Sequence, residues 1–389
     1  MPKHSVRAEN LRAMNMQLVL AHALASEEPP SRAQIASDAG LTRATSSRLG
    51  DELVAGGLLD ELPPPPATGP GRPALGLVGS ARVIGIGVDI GVDALRVIAI
   101  NLRGVEVARR VRIGDLVGSR PADVLPEVAV MIADVFGQLQ ADARLCGVTI
   151  AVPGLVDSAA GVLLDAPNLG WHDVPIADDV AAALADTPAA GHLPRPQVMN
   201  EANLAALTAA FRAPGAPRPR QHFAYLSGGI GVGAAIVEGG TVMTGEHGWA
   251  GEIGHLTVDP NGPDCRCGST GCLERYVGRE ALTEALGRHA ETGDVLDVSA
   301  QALGVSLAAL VNLLDVPVIV LGGQLAELLE RKRERIEQVL RRRAMAARRV
   351  PIELTATEAG EDAAVLGAAY AAFTNLLAAP IDFLAAPAP

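Results

Sequence analysis

The sequence predicts an α/β protein in which a short helical segment precedes a larger domain of alternating strands and helices. Residues 1–62 show helical periodicity with turn signals. Residues 63–80 begin with the proline-rich run PPPPATGPGRPA, which is incompatible with a helix. From Val83 onward, strand-like runs alternate with Ala-rich helical runs, a pattern typical of sheets covered by crossover helices. A chain of 389 residues is long enough for more than one core, so several domains are expected.

Charge and composition argue against several classes of protein. The formal net charge is -12, so a general affinity for nucleic acid is not expected and any DNA contact must be local. No run of about 18 apolar residues is present, and no membrane span is therefore expected. The N-terminal stretch MPKHSVRAEN has no apolar core, unlike a secretory signal. The expectation is a cytoplasmic protein whose thiols stay reduced.

The first 62 residues predict helices separated by short turns. In NLRAMNMQLVLAHALAS, the apolar residues Leu11, Met14, Leu18, Leu20 and Leu24 are expected close to one helix face. A second helix is expected to begin after Ser31, with Gln34 completing a capping box, and to end at Gly40. A third is expected to begin after Thr42 and to turn Leu49 and Leu53 inward.

Helix, glycine-containing turn and helix is the helix-turn-helix pattern of DNA-binding proteins. The segment GLLDELPPPPATGPGRPALGLV can add two short strands around a loop, forming a wing. Short polar and basic side chains suit phosphates and base edges. The predicted DNA-binding residues are Arg32, Thr42, Arg43, Thr45, Ser46, Ser47, Arg48 and Arg72. The alternative is a helical docking module with a solvated polar face, since residues 1–80 hold seven Lys/Arg against eight Asp/Glu.

The larger domain has a regular succession of predicted elements. The runs VIGIGVDI, LRVIAINLRG and GVEVARRVRI predict three strands with tight turns, followed by a helix in VLPEVAVMIADVFGQLQADA. LCGVTIAVPG predicts a buried strand, QVMNEANLAALTAAFR a strand end feeding a helix, and FAYLSGGIGVGAAIVEGG a Gly-rich hairpin. VPVIVLGG predicts a further strand, and DAAVLGAAYAAFTNLLAA a closing helix.

Three of the four cysteines lie within CRCGSTGC, residues 265–272, ten residues after His255. The spacing His-x9-Cys-x-Cys-x4-Cys supplies three thiolates and one imidazole, a complete tetrahedral ligand set for Zn²⁺. The metal ligands are therefore predicted to be His255, Cys265, Cys267 and Cys272. Because four protein ligands leave no open position, this zinc should be structural. The alternative is a cluster of buried free thiols.

The string GWAGEIGHLTVDPNGPDCRCGSTGCLERYVG resembles the signature of the ROK family of repressors, open reading frames and kinases. The resemblance covers nearly the whole chain, including a winged helix-turn-helix and a GRPA linker. It implies a two-lobed, actin-like ATPase fold of the sugar-kinase type and a homodimer or homotetramer. The expected domains are a winged helix-turn-helix core (1–62), a wing and linker (63–80), a first lobe (81–199) and a second lobe with the zinc loop (200–389), whose final helix packs back on the first lobe.

The same resemblance implies a sugar pocket between the lobes, beside the zinc loop. Its residues would be Gly154, Asn168, Asn200, Glu201, Glu252, His255 and Glu274. Carboxylates and amides suit paired sugar hydroxyls, which both donate and accept hydrogen bonds. His255 can bind zinc through one ring nitrogen and point the other at a hydroxyl.

The phosphate-binding residues depart from the kinase pattern of the family, Asp-x-Gly-Gly-Thr-Lys. Here the stretch is DIGVDALR, so Val92 replaces the second glycine and Asp93 the threonine. Val92 adds bulk, and Asp93 adds negative charge, where a phosphate must approach. Glu201 stands at the position of the catalytic Asp, and its extra methylene displaces the carboxylate by about 1 Å. No catalytic residue is therefore assigned, and ATP binding and kinase activity are expected to be lost.

These patterns favour a sugar-responsive transcriptional regulator, a repressor that binds an operator and a monosaccharide effector. The alternative is an ATP-dependent monosaccharide kinase with an N-terminal DNA-binding extension. A third hypothesis is a regulator that answers to a protein partner instead of a free sugar.

Overall fold

The computed structural model describes residues 8–63, 75–288 and 294–385. The helices in these ranges are α1 (Ala8–Ala25), α2 (Arg32–Asp38), α3 (Arg43–Ala55), α4 (Pro121–Phe136), α5 (Ile176–Leu184), α6 (Glu201–Ala210), α7 (Glu274–Val277), α8 (Arg279–Arg288), α9 (Asp294–Leu314), α10 (Gln324–Arg343), α11 (Ala363–Ala371), α12 (Thr374–Ala378) and α13 (Pro380–Ala385). The strands are β1 (Leu59–Leu62), β2 (Gly76–Gly79), β3 (Val83–Ile90), β4 (Ala94–Asn101), β5 (Glu106–Ile113), β6 (Arg144–Val152), β7 (Leu155–Asp157), β8 (Val162–Ala166), β9 (Trp171–Val174), β10 (Gln197–Asn200), β11 (Phe211–Ala213), β12 (Ala216–Pro217), β13 (Phe223–Gly228), β14 (Val232–Glu238), β15 (Thr241–Met243), β16 (Val318–Gly323) and β17 (Glu353–Ala356).

Two five-stranded sheets of the same design form the two lobes. The first has the order β10-β6-β3-β4-β5 and the second the order β15-β14-β13-β16-β17. In each sheet a three-stranded antiparallel meander is extended by two parallel strands. All eight residues of β3 and of β4 are buried, as expected for strands covered on both faces. The tight turns β3–β4 and β13–β14 are therefore equivalent positions in the two lobes.

The helix-turn-helix is fixed by its caps. Ser31 Oγ accepts from the Gln34 amide, and the Gln34 side chain accepts in return from the Ser31 amide, the predicted capping box. Gly40 follows α2 at φ +66°, and Thr42 caps α3 by accepting from the amide of Thr45. Leu49 and Leu53 of α3 are fully buried. These predictions of helix ends and of the inward face of α3 are confirmed.

The predicted inward face of α1 is wrong in part. Leu20 and Leu24 are buried, but Leu11, Met14 and Leu18 are exposed. The buried face also contains Met16, Val19 and Ala23. Positions 16, 19, 20, 23 and 24 follow the helical repeat, whereas the expected set combined two sides of the helix.

Strands β1 and β2 form the two-stranded ribbon expected for a wing. They pair antiparallel from Leu59 with Gly79 to Leu62 with Gly76. The connecting loop, with the expected DNA-binding residue Arg72, lies outside the described residues.

The winged segment shares a core with the first lobe. One buried cluster joins Met16, Leu53 and Leu77 of the winged segment to Ile98 of β4 and Phe373 of the closing segment. Arg144, the first residue of β6, donates to the carbonyls of Gly56 (2.8 Å) and Phe383 (3.0 Å). Its guanidinium also lies 4.2 Å from the centre of the Phe383 ring. The end of the helix-turn-helix, the first lobe and the C-terminal helix therefore meet at one side chain.

The closing segment is interrupted, unlike the single helix that the sequence suggested. It forms α11, α12 and α13, and α11 packs on β3, β6 and α6. A Cβ on Gly87 of β3 would lie 2.3 Å from the carbonyl oxygen of Val365 in α11, so this helix rests directly on the strand backbone. The first break follows Ala372, where the Phe373 ring packs against Gly85.

Helix α9 contains a segment, Leu296–Leu314, that is long and apolar enough to cross a membrane by length and composition alone. Of that window, 61% is buried inside the protein. It packs against α10 and contributes to the core of the second lobe, which accounts for its apolar character.

Candidate ligand cleft, metal centre and DNA-facing helix

A cavity of about 650 Å³ lies between the two lobes. The first lobe contributes Gly91, Val92 and Asp93 from the β3–β4 turn, and the second contributes residues 227–231 from the β13–β14 turn. Pro153, Asn168 and Glu201 also line this cavity. The cavity therefore joins the residues expected around a sugar to those expected around a phosphate.

Asn200 links two of the elements that form this cleft. Its Oδ1 accepts from two backbone amides in the first turn of α6, at 2.9 and 3.2 Å, and its Nδ2 donates to the Gly154 carbonyl at 3.0 Å. Gly154 has φ +105°, and a Cβ there would lie 2.1 Å from the Asp165 carbonyl oxygen. Only glycine fits this site. Glu201, the next residue along the chain, is thereby held on the cavity wall.

The other predicted sugar residues approach the same end of the cleft. A Cβ on Gly231 would lie 2.6 Å from Glu274 Oε2 and 2.9 Å from Asn168 Nδ2, so both side chains face this turn. Glu274 Oε2 also accepts from the amide of Val232 at 3.2 Å. Glu252 Oε2 lies 4.0 Å from His255 Nε2. The structure thus brings together residues that the sequence separates by up to 120 positions.

Glu201 and Asp89 are carboxylates in an environment that favours their protonated forms. Burial, together with the negative charges of Asp89, Asp93 and Glu252, raises the pKa of Glu201 to about 8. Burial also raises the pKa of Asp89 to about 6, although the adjacent Arg96 opposes the shift. The Asp89–Arg96 pair is almost fully buried, with 3.2 Å between Oδ2 and Nη1.

Two arginines that were not predicted as site residues, Arg96 and Arg279, line the cavity with Val92 and Asp93. Arg279 Nη1 lies 2.9 Å from Asp93 Oδ2 and joins the second lobe to the first. Arg96 Nη2 lies 3.6 Å from Glu361 Oε2. Val92 packs partly into the core of the first lobe. The position of Arg279, five residues after Glu274, was the available signal in the sequence.

His255, Cys265, Cys267 and Cys272 form a compact cluster whose potential ligand atoms all lie within 4.8 Å of one another. His255 Nδ1 is 3.8 Å from Cys265 Sγ, and Cys267 Sγ is 3.7 Å from Cys272 Sγ. A tetrahedron with Zn–S bonds of about 2.3 Å has S···S edges of about 3.8 Å, so this donor set fits Zn²⁺. His255 Nδ1 faces the thiols and Nε2 faces Glu252.

The loop that carries the cysteines is shaped by close backbone packing. Isolated antiparallel β-bridges pair the backbone of Thr257 with Cys272 and that of Asp264 with Thr270. Gly271 has φ +67°, and a Cβ there would lie 1.6 Å from the Asp259 carbonyl oxygen. Cys146, by contrast, lies in β6 and donates to the Ile84 carbonyl at 3.1 Å, as a core residue does.

Helix α3 presents an exposed polar face that contains most of the predicted DNA-binding residues. Thr42, Arg43 and Arg48 are exposed, and Thr45 and Ser47 are half-buried. Arg48 Nη1 is 2.9 Å from Glu52 Oε1, within the same helix. This face is the part of the winged segment with the residue types that suit phosphates and base edges.

Two of the predicted DNA-binding residues are not presented on that face. Ser46 is fully buried, and its Oγ donates to the Arg32 carbonyl at 2.8 Å, so its expected outward position is wrong. The Arg32 side chain is only 19% exposed and pairs with Asp51 and Glu61, each at 2.7 Å. Both residues hold α2 against α3 and β1. The sequence pattern of a helix does not show whether a polar side chain makes such contacts or faces solvent.

Comparisons with known proteins agree on one family for this chain. The sequence model of the ROK family matches residues 85–374. A putative xylose repressor of Caldicellulosiruptor sp. (strain Rt8B.4) is 28% identical, and the match covers 90% of this chain and 93% of the repressor. A glucokinase of Thermotoga maritima is 32% identical over 52% of this chain and 59% of the kinase.

Among solved structures, a ROK family transcriptional regulator described as a homologue of the E. coli MLC protein aligns with a TM-score of 0.76. The alignment covers 96% of this chain and 99% of that one, at 22% sequence identity. The predicted α/β fold class, an N-terminal helix-turn-helix followed by a two-lobed actin-like domain, is confirmed.

The Cys272→Ser variant tests the metal centre. Loss of one thiolate should reduce bound zinc from about one per chain to near zero and lower the Tm, because the loop loses its cross-link. Metal content measured by mass spectrometry, together with thermal unfolding, reports both. The matched control, Cys146→Ser, removes a thiol from β6 and should retain the metal. Full zinc content in Cys272→Ser, or wild-type protein without bound metal, would contradict the assignment.

The Glu201→Gln variant tests the electrostatics of the cleft. The folded protein keeps a proton on Glu201 between its ordinary pKa of 4.5 and its raised pKa of about 8, whereas the unfolded chain releases it. This residue therefore makes the wild-type free energy of unfolding fall as pH rises through that window. Relative to wild type, Glu201→Gln should gain Tm at pH 8.5 and not at pH 5.

The control for this effect is Glu330→Gln, which changes an exposed carboxylate of α10. Its Tm difference from wild type should be the same at both pH values. A pH-independent difference for Glu201→Gln as well would refute the raised pKa.

Proposed function

The chain belongs to the ROK family, and on that premise we propose that it is a sugar-responsive transcriptional repressor. The proposal rests on one observation: the helix-turn-helix and the ligand-cleft domain pack together through a shared hydrophobic core. A helix-turn-helix with an exposed Arg43 and Arg48 shares one core with the first lobe of a two-lobed domain that contains a polar cleft. Xylose repressors that match over 90% and more of this chain support the same function.

The effector of the proposed repressor is a monosaccharide or sugar derivative bound in the cleft. Asn168, Asn200, Glu201, Glu252 and Glu274 provide amide and carboxylate groups suited to hydroxyls. Gly154 keeps the wall free of a side chain at the point where Asn200 is anchored. His255 adds its Nε2 from the adjacent loop.

A structural zinc is the proposed cofactor, held by His255, Cys265, Cys267 and Cys272. When bound, zinc would cross-link the loop and fix the orientation of the His255 ring. The ring is then presented to the cleft in one tautomer, because Nδ1 is the nitrogen that faces the thiols.

Kinase activity is proposed to be lost, although the similarity to the Thermotoga maritima glucokinase keeps the alternative of a monosaccharide kinase open to test. Three features support the loss: the side chain of Val92, the carboxylate of Asp93, and its 2.9 Å pairing with Arg279 across the phosphate end of the cleft. Turnover of ATP with a panel of monosaccharides at ordinary kinase rates would overturn this part of the proposal.

The proposed partner is operator DNA. The exposed face of α3, with Thr42, Arg43, Thr45, Ser47 and Arg48, would enter the major groove, and Arg72 of the wing loop would reach the minor groove. A homodimer or homotetramer would present two such helices to a pseudo-palindromic site. The protein would act in the cytoplasm without a membrane partner.

The double variant Arg43→Ala/Arg48→Ala tests DNA recognition. Loss of two contacts per subunit should weaken binding to the DNA upstream of the protein's own gene by at least about 100-fold, because each such contact contributes about 1–3 kcal/mol. Fluorescence anisotropy at fixed salt measures the affinity, and sugar binding should be unchanged.

The matched control is Arg110→Ala/Arg195→Ala, which removes two partly exposed arginines of the first lobe. It has the same change in net charge and should bind DNA about as tightly as wild type. Equal losses in the two double variants would mean that overall charge, and not α3, governs binding.

A further inference from the structure

The end of the cleft that would receive a phosphate is acidic. Among the described residues that line the cavity, five are acidic and two are basic. The acidic residues are Asp89, Asp93, Glu201, Glu327 and Glu361, and the basic ones are Arg96 and Arg279. Glu201 stays protonated at neutral pH because its pKa is about 8, but the other four acidic residues still outnumber the two arginines. A phosphate monoester carries close to two negative charges at neutral pH, so its approach would add like charge to like.

Both cavity arginines already have carboxylate partners. Arg279 Nη1 lies 2.9 Å from Asp93 Oδ2. Arg96 Nη1 lies 3.2 Å from Asp89 Oδ2 and 4.0 Å from Asp93 Oδ1, and its Nη2 lies 3.6 Å from Glu361. Asp93 thus lies between the two cations. A phosphate would have to displace this internal carboxylate to reach either guanidinium.

The backbone of the turn also offers less to an anion than a phosphate loop does. The Gly91 amide donates to the Ala94 carbonyl at 3.0 Å and closes the turn on itself. The Val92 side chain lines the cavity beside it. Burial raises the pKa of Glu201 to about 8 and that of Asp89 to about 6, so this part of the cleft solvates a further negative charge poorly.

A sugar hydroxyl meets none of these obstacles. The end of the cleft that would receive the sugar has Asn168 beside Glu274 and Gly231, and Glu201 lines the same cavity. A substituent that extends from a bound sugar past Glu201 would enter the region of Asp89 and Asp93. A phosphate ester at that position would place its charge beside these two carboxylates, whereas a free hydroxyl would not.

We propose that the effector is an uncharged monosaccharide and that the Asp93–Arg279 ion pair excludes sugar phosphates from the cleft. This inference rests on the proposed function and specifies its ligand class. Asp93 is the specificity-determining residue, since its carboxylate pairs with the Arg279 guanidinium, to which a phosphate would otherwise bind.

Isothermal titration calorimetry of the full-length protein tests the proposal. The probes are glucose and N-acetylglucosamine, with glucose 6-phosphate and N-acetylglucosamine 6-phosphate as their charged counterparts. Xylose is added as a free sugar without the exocyclic hydroxymethyl group. At least one free sugar should bind, and its phosphate should bind at least about 30-fold more weakly, since one unfavourable close charge contact costs on the order of 2 kcal/mol.

The Asp93→Asn variant should reduce this discrimination. It removes one negative charge and releases Arg279, so the affinity for the sugar phosphate should rise about tenfold or more while that for the free sugar changes less than about threefold. Asp178→Asn is the matched control, because it breaks an ion pair of 2.7 Å with Arg195 away from the cavity and changes the charge equally. It should leave the wild-type ratio of affinities unchanged.

The outcomes distinguish a failure of the proposed ligand specificity from a failure of the proposed repressor function. A sugar phosphate that binds wild type as tightly as its free sugar would overturn the specificity inference and leave the proposed repressor intact. An unchanged ratio in Asp93→Asn, or an equal change in Asp178→Asn, would remove Asp93 from the explanation. Failure of every sugar and phosphate to bind would contradict the sugar-responsive function, and the inference with it.

Discussion

Arg144 is the side chain at which the end of the helix-turn-helix, the first lobe and the C-terminal helix meet. Its guanidinium donates to the carbonyls of Gly56 and Phe383, and burial lowers its pKa. It begins β6, whose other end is Val152, two residues before Gly154 in the cleft. Nine residues of strand span about 30 Å. Under the proposed function, β6 would carry a displacement of the cleft wall to the end of α3, and the shared core would make the winged segment follow it.

Under the proposed function, the cleft would bind a ligand but would no longer transfer a phosphoryl group. The two sheets have the same strand order, so the cleft has one tight turn from each lobe. The β13–β14 turn keeps its glycines, whereas the β3–β4 turn carries Val92 and Asp93. Substitution of one turn changes the charge at the phosphate end. It leaves untouched the amides and carboxylates, from Asn168 to Glu274, at the other end.

Much of this organisation could be predicted from the sequence because its causes are local. The caps at Ser31 and Thr42 and the turn at Gly40 depend on neighbours within a few residues. The cysteine and histidine spacing also limits the possible geometry, since all four residues lie within 18 positions. The family resemblance, carried by the long string around these cysteines, supplied the two-lobed fold.

Features that depend on distant residues escaped prediction. The polar character of Ser46 suggested exposure, but its hydroxyl bonds to a carbonyl 14 residues away. The pairing of Asp93 with Arg279 joins two lobes, and no local pattern encodes it. Arg144 resembles an ordinary charged residue before a strand, and its role appears only when Gly56 and Phe383 are placed beside it. The error at α1 has a local cause instead, because the predicted set combined residues from two sides of the helix.

The most direct test of the account is the affinity of the wild-type protein for its upstream DNA, measured with and without a saturating monosaccharide at one salt concentration. If the cleft controls the DNA-binding segment, one sugar from the panel should change the Kd for DNA at least about tenfold, a coupling free energy of about 1.4 kcal/mol. Tight DNA binding that no sugar alters, in a protein that calorimetry shows to bind the sugar, would contradict the claim that the cleft controls the DNA-binding segment.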